Sequence, residues 1–153
     1  ASETTREDVI ALVELRLGVE SEGAALAAKR RTDAQLAEIQ GAALAYETAA
    51  GAEQAPAAAD YAFHLAIARA TGNAYIEELT EYLGPLIIPR MRVSLTSAGT
   101  FGDRDLSNSR TEHRAILAAL AASDPEAARA AMLAHLGRTL ELLKGAPPAS
   151  EGA

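Results

Sequence analysis

Residues 56–73 read Pro56-Ala-Ala-Ala-Asp60-Tyr-Ala-Phe63-His64-Leu-Ala-Ile67-Ala-Arg-Ala-Thr71-Gly72-Asn73. Asp60, Phe63, His64 and Ile67 recur at the three- and four-residue steps that stack on one face of an α-helix. Pro56 suits a first turn, where its missing N–H has no intrahelical partner to lose. Gly72 suits the left-handed residue that closes a helix. The stretch predicts a helix whose inward face carries two apolar side chains together with a carboxylate and an imidazole.

Helical periodicity continues on both sides. A segment over about residues 4–18 aligns Val9, Leu12, Val13 and Arg16; Gly18 loosens it, and a second over about 19–30 carries Leu26 among alanines. Thr32 followed by Gln35 is a capping-box pattern, opening a helix to about Ala50 with Leu36, Ile39, Ala43 and Tyr46 in phase. Beyond Asn73, a segment to about Ser97 aligns Ile76, Leu79, Leu83 and Leu86 or Ile87, with a kink expected at Pro85 and Pro89. After a loop at 97–102, a helix over about 103–122 aligns His113, Ile116, Leu117 and Leu120. Ser123 is the expected cap of a last helix, with Pro125 in its first turn, that aligns Ala128, Ala131, His135, Thr139 and Leu142. The chain thus reads as all-α: an antiparallel bundle of six to seven helices over residues 1–144, with a disordered tail at 145–153.

Composition agrees. The chain has 153 residues, suited to one domain, with 49% hydrophobic but only 4% aromatic residues, which favours helix over sheet. The net charge of −7 argues against the phosphate contacts that DNA binding rests on. The one basic run, Lys29-Arg30-Arg31, reads as decoration of a helix C-terminus. Absence of cysteine excludes disulfides and thiolate metal sites. No apolar run approaches the roughly 18 residues of a membrane span, and the polar, acidic start is unlike a signal peptide, so a cytoplasmic protein is expected. A first residue other than Met leaves room for a further N-terminal domain.

The sequence holds three histidines, His64, His113 and His135, and each falls on an inward stripe. Asp60, four residues before His64, shares its face. Taken singly, an inward histidine is more often a core residue with a satisfied hydrogen bond than a ligand. A buried carboxylate, however, needs a cationic partner. Asp60, His64, His113 and His135 on facing helices can supply one metal site. Imidazole and carboxylate without sulfur suit Zn, Ni, Mn, Fe or Co.

The run Asp60-Tyr-Ala-Phe-His64, then Thr71-Gly-Asn73, then Glu112-His113-Arg-Ala-Ile-Leu, then Ala134-His135-Leu136, resembles the FCD domain, the effector-binding domain of the FadR subfamily of GntR-type transcription regulators. So do Arg16-Leu-Gly-Val-Glu20 and Ser123-Asp-Pro-Glu-Ala-Ala-Arg. The likeness spans about residues 6–143. It implies a divalent metal, zinc foremost, on Asp60, His64, His113 and His135, and a small carboxylate effector such as a hydroxy acid, sugar acid or dicarboxylate. It also implies a homodimer, and DNA binding only through a winged-helix domain absent from these residues.

An effector carboxylate wants an arginine fork. Arg16 lies on the stripe of Val9 and Val13 and Arg90 is in phase with Leu79 and Leu83, and each fits a salt bridge equally well; Arg92, its direction left open by the expected kink, fits a salt bridge better. Asn73 is a helix cap first and an effector contact second, and Asn108 and Thr139 are weaker candidates. The competing reading is a metal-dependent hydrolase or lyase. Against it, no spare inward carboxylate or histidine is evident as a general base; Glu20 and Glu112 are conceivable but expected to be exposed or paired. A third reading is a structural bundle whose histidines merely pack.

Overall fold

The computed structural model describes residues 5–51, 56–97 and 103–145, with side chains described for all of these except 51, 87–97 and 103–107. These residues form six helices: α1 (Arg6–Arg30), α2 (Asp33–Gly51), α3 (Ala57–Ala70), α4 (Ala74–Ser97), α5 (Asp103–Ala121) and α6 (Pro125–Gly145). Of the expected tail at 145–153, Gly145 belongs to α6, and residues 146–153 lie outside the described residues.

The two expected segments at the N-terminus are one helix. A helix-interior glycine costs only about 1 kcal/mol relative to alanine, and Gly18 sits on the outer face with nothing for a Cβ to meet. Burial on either side, from Val9 and Val13 to Ala24, Ala27 and Ala28, outweighs that cost. Continuity matters for the site, because it puts Val9, Val13, Arg16 and Glu20 in one phase. Neither Pro85 nor Pro89 ends α4, which runs as helix from Ala74 to Ser97. Pro85 lies on the exposed side of α4.

The ends follow local chemistry. Thr32 and Gln35 exchange backbone and side-chain hydrogen bonds of 3.0 and 3.1 Å, so the capping box forms as read. Gly72 adopts φ +66°, the left-handed turn that ends α3. Ser123 differs from expectation. It takes φ +52° as the turn residue closing α5, and Asp124 instead caps α6 by accepting from the Ala127 N–H at 3.1 Å. Backbone bonds from Ser123 to the Leu120 carbonyl and from Asp124 to the Ala119 carbonyl complete a Schellman closure. Arg31 crosses to the same end, donating to the Leu120 and Ala121 carbonyls at 3.1 and 2.9 Å. The basic run therefore decorates a helix end, and also ties the start of the chain to α5.

α1 lies along α6, α2 against α3 and α5, α3 against α4, and α5 against α6. Val9 and Val13 cluster with Leu140 and Leu143, while Glu22 pairs with Arg129, so α1 and α6 run in opposite directions. The main core joins Ile39, Phe63, Ile67, Ile116, Leu120, Met132 and Leu136. On α6 the buried residues are Ala128, Met132, His135, Leu136, Leu140 and Leu143, so Ala128 and His135 of the expected stripe face inward while Ala131, Thr139 and Leu142 are only partly buried. Each fully buried large apolar side chain contributes on the order of 1.5–3 kcal/mol. Among the described residues, no helix is long and apolar enough to cross a membrane.

Candidate metal and effector site

α3, α5 and α6 meet at one level of the bundle, and α1 covers them. Asp60 and His64 come from α3, His113 from α5 and His135 from α6. One ligand atom from each lies within 4.8 Å of all the others. Asp60 Oδ1 is 3.3 Å from His64 Nε2 and 3.0 Å from His113 Nε2, and His113 Nε2 is 3.2 Å from His135 Nε2. Metal bonds of about 2.1 Å set ligand atoms roughly 3 Å apart around one ion, so these separations fit a shared cation. His64 Nε2 is also buried without a well-formed hydrogen bond. A buried nitrogen left so is costly unless something outside the protein meets its lone pair. The cluster can therefore hold a metal ion.

The outer nitrogens explain the aim of two of the rings. His64 Nδ1 donates to Glu20 Oε1 at 2.5 Å, and His135 Nδ1 donates to Glu112 Oε1 at 2.7 Å. A proton fixed on Nδ1 leaves the Nε2 lone pair facing inward. Glu20 takes a 2.5 Å bond from Arg16 Nε, and Glu112 takes one of 2.6 Å from Arg138 Nε. His113 is held differently. Its ring stacks on Phe63 with centroids 4.4 Å apart and tilts against Tyr46 at the same distance, and among the described residues its Nδ1 has no hydrogen-bond partner.

Electrostatics separate the ligands. Burial opposes charge on His64, but Glu20 and Asp60 outweigh it and raise the imidazole to about 9. Burial dominates at His135 and pushes it down to about 4, with the neighbouring histidines adding to the effect. Burial likewise opposes the charge of Asp60, yet His64 and His113 hold its carboxyl well below the usual range. Glu20 falls to about 2 because Arg16 and His64 overcome its burial. Only 2–4% of the three imidazoles is exposed, against 35% of the Asp60 side chain, so the cluster meets solvent at Asp60. Behind His64, a void of about 10 Å³, room for one water, touches Glu20, Thr80 and Met132.

The remaining candidates scatter. Arg16 is partly buried beside the cluster, and its charge is felt at Asp60, but its Nε is given to Glu20. Asn73 spends its Oδ1 on the Tyr75 and Ile76 N–H groups at the start of α4. Asn108 is exposed, and the Thr139 hydroxyl bonds back to the His135 carbonyl. The side chains of Arg90 and Arg92 lie outside the described residues.

Glu20 and Glu112 are paired, as one of the two expected alternatives had it, but they also face inward onto ligand rings, and Arg138 is a partner that sequence reasoning does not single out. Glu20 is 9% exposed, and Glu112 and Arg138 are partly buried. Treating residues 4–18 and 19–30 as separate helices hid the phase that carries Val9 and Val13 through Arg16 to Glu20. Glu112 is next to a ligand in sequence, and Arg138 stands one helical turn from His135, which is the signal that could have found them.

The family model of the FCD domain matches residues 11–138. The HTH-type transcriptional regulator LutR of Bacillus subtilis (strain 168) is 36% identical over 144 residues, which cover 92% of this chain and 64% of that protein. The chain thus spans a little under two-thirds of that curated relative. Among solved structures, Streptococcus agalactiae GntR superimposes with a TM-score of 0.73 at 28% identity, over 87% of this chain and 58% of that one. E. coli McbR/YncC reaches a TM-score of 0.78 at 22% identity, over 94% of this chain and 68% of that one, a likeness of fold alone.

Proposed function

The chain belongs to the FCD domain family, and from that premise we propose that it is the effector-sensing part of a GntR-type transcription regulator. In this reading Asp60, His64, His113 and His135 hold one divalent ion, zinc before Ni, Mn, Fe or Co, and a small carboxylate binds beside it. The observation that carries the reading is the convergence of three Nε2 atoms and Asp60 Oδ1 within 4.8 Å. When bound, the ion supplies a Lewis-acidic anchor for an oxygen ligand. The opening at Asp60 is the side from which a hydroxy acid, sugar acid or dicarboxylate would approach, with the Arg16 charge nearby.

DNA contacts belong, in this reading, to a part of the protein outside these residues, since the chain carries a net charge of −7. Effector binding then shifts the balance between arrangements of a cytoplasmic homodimer, which requires different affinity for the two arrangements. The hydrolase reading gains nothing from the site. Glu20 and Glu112 each already bind a histidine Nδ1 and an arginine, so neither is a spare base.

Calorimetric titration of small hydroxy acids, sugar acids and dicarboxylates into metal-loaded and chelator-stripped chain tests the proposal. Binding of at least one class to the loaded form, lost on stripping, is expected. Equal binding to both forms would show that the effector does not use the ion.

A further inference from the structure

Two arginine–glutamate–histidine chains converge on the cluster from different helices. In one, Arg16 Nε donates to Glu20 Oε2 at 2.5 Å, and Glu20 Oε1 accepts from His64 Nδ1 at 2.5 Å. In the other, Arg138 Nε donates to Glu112 Oε2 at 2.6 Å, and Glu112 Oε1 accepts from His135 Nδ1 at 2.7 Å. Each glutamate thus uses one oxygen on an arginine and the other on a ligand ring. Arg138 also donates to Ser109 Oγ at 2.9 Å.

Resting on the metal reading above, we propose that Glu20 and Glu112 are positioning residues for the ion, fixing His64 and His135 with Nε2 inward, and that His113 is the ligand aimed by ring packing alone. Three physical arguments meet here. A carboxylate on Nδ1 selects the tautomer whose Nε2 lone pair is free, and it raises the basicity of that nitrogen. The arginines keep both carboxylates ionised and oriented, with bonds of the charge-assisted kind. His113 has no such partner among the described residues, where its Nδ1 is buried without one and its ring packs on Phe63 and Tyr46.

The asymmetry has a consequence. Loss of a hydrogen-bonded outer partner typically costs a metal site about 10–100-fold in affinity. His64 and His135 carry that sensitivity through Glu20 and Glu112. The geometry at His113 depends instead on the rings of Phe63 and Tyr46 packed against it.

The test is competition for Zn²⁺ against a chromophoric chelator, using the 153-residue chain and its Glu20→Gln, Glu20→Ala, Glu112→Gln and Thr32→Ala variants, the last removing only a local capping box. Helical circular dichroism checks folding, and histidine ¹⁵N resonances report tautomers. Glu20→Ala is expected to lose about 10–100-fold in affinity. Glu20→Gln and Glu112→Gln, whose amide oxygen still accepts from Nδ1, should lose less, and Thr32→Ala nothing. In loaded wild type, His64 and His135 should show protonated Nδ1, and in folded Glu20→Ala the His64 signal should lose its hydrogen-bonded shift. Wild-type zinc binding with unchanged affinity in folded Glu20→Ala and Glu112→Gln would overturn the positioning role. Failure of wild type itself to compete for zinc, nickel or manganese would overturn the metal reading beneath it.

Discussion

His113 Nε2 and His135 Nε2 face each other at 3.2 Å across the α5–α6 contact, and Asp60 Oδ1 lies 3.0 Å from the first of them. In a metal-free chain one proton can sit between these two imidazoles, while His64 Nε2 has only a poorly formed contact with Asp60 Oδ1 at 3.3 Å. A shared cation satisfies all four atoms at once.

That geometry makes single ligand removals severe for metal and milder for fold. His113→Ala is expected to abolish stoichiometric metal binding while the chain keeps its helical content. Metal analysis after gel filtration, beside circular dichroism, checks this; unchanged metal content would mean that the ion sits elsewhere.

Metal uptake should release protons. At neutral pH the metal-free His64 is charged, being raised to about 9, whereas His135, lowered to about 4, is already neutral. Coordination requires a neutral imidazole, so His64 gives up its proton on loading. Calorimetric titration of zinc at pH 7 in buffers of different ionisation enthalpy should report about one proton released per ion. An observed heat independent of buffer would contradict the charged state of His64.

The same two histidines set opposed slopes in the stability of the metal-free chain. His64 is raised from 6.5 to about 9, so its contribution is complete below 6.5 and is lost as pH rises toward 9. His135 is lowered from 6.5 to about 4, so the unfolded chain binds the proton first and stability falls as pH drops from 6.5 toward 4. Glu20, lowered from 4.5 to about 2, adds stability that is complete above 4.5. Urea midpoints of stripped chain should therefore peak near pH 6.5, and a steady rise to pH 9 would count against the buried His64–Glu20 pair.

Stripping the metal should lower the melting temperature. An ion at 100 times its dissociation constant adds about 2.7 kcal/mol, worth roughly 5–10 °C for a domain of this size. Scans with and without a chelator measure it, and Thr32→Ala gives a contrast. That variant loses a capping box far from the cluster, about 1 kcal/mol, and should melt lower by a similar amount in both conditions.

Much of this was legible in the sequence, for a physical reason. Periodicity records which side of a helix is buried, so Asp60, Phe63, His64, His113 and His135 were placed inward from spacing alone. Caps made of local contacts, such as Thr32 with Gln35, were equally readable. What failed depended on balances between distant parts. Gly18 weakens a helix locally, but burial of the whole of α1 overrides it, and with that error went the phase of Glu20. Ser123 and Asp124 compete for one cap, and closure of the preceding helix decides between them. Glu112 and Arg138 become partners of His135 only once α5 lies against α6, a pairing no single helix encodes.

Asp60, His64, His113 and His135 are proposed to hold one metal ion between them. Elemental analysis of the chain, purified without chelators and then equilibrated with zinc and desalted, tests it most directly. About one divalent ion per chain is expected in wild type, with close to none in Asp60→Ala or His113→Ala. A folded wild-type chain that retains no zinc, nickel, manganese, iron or cobalt would contradict the account.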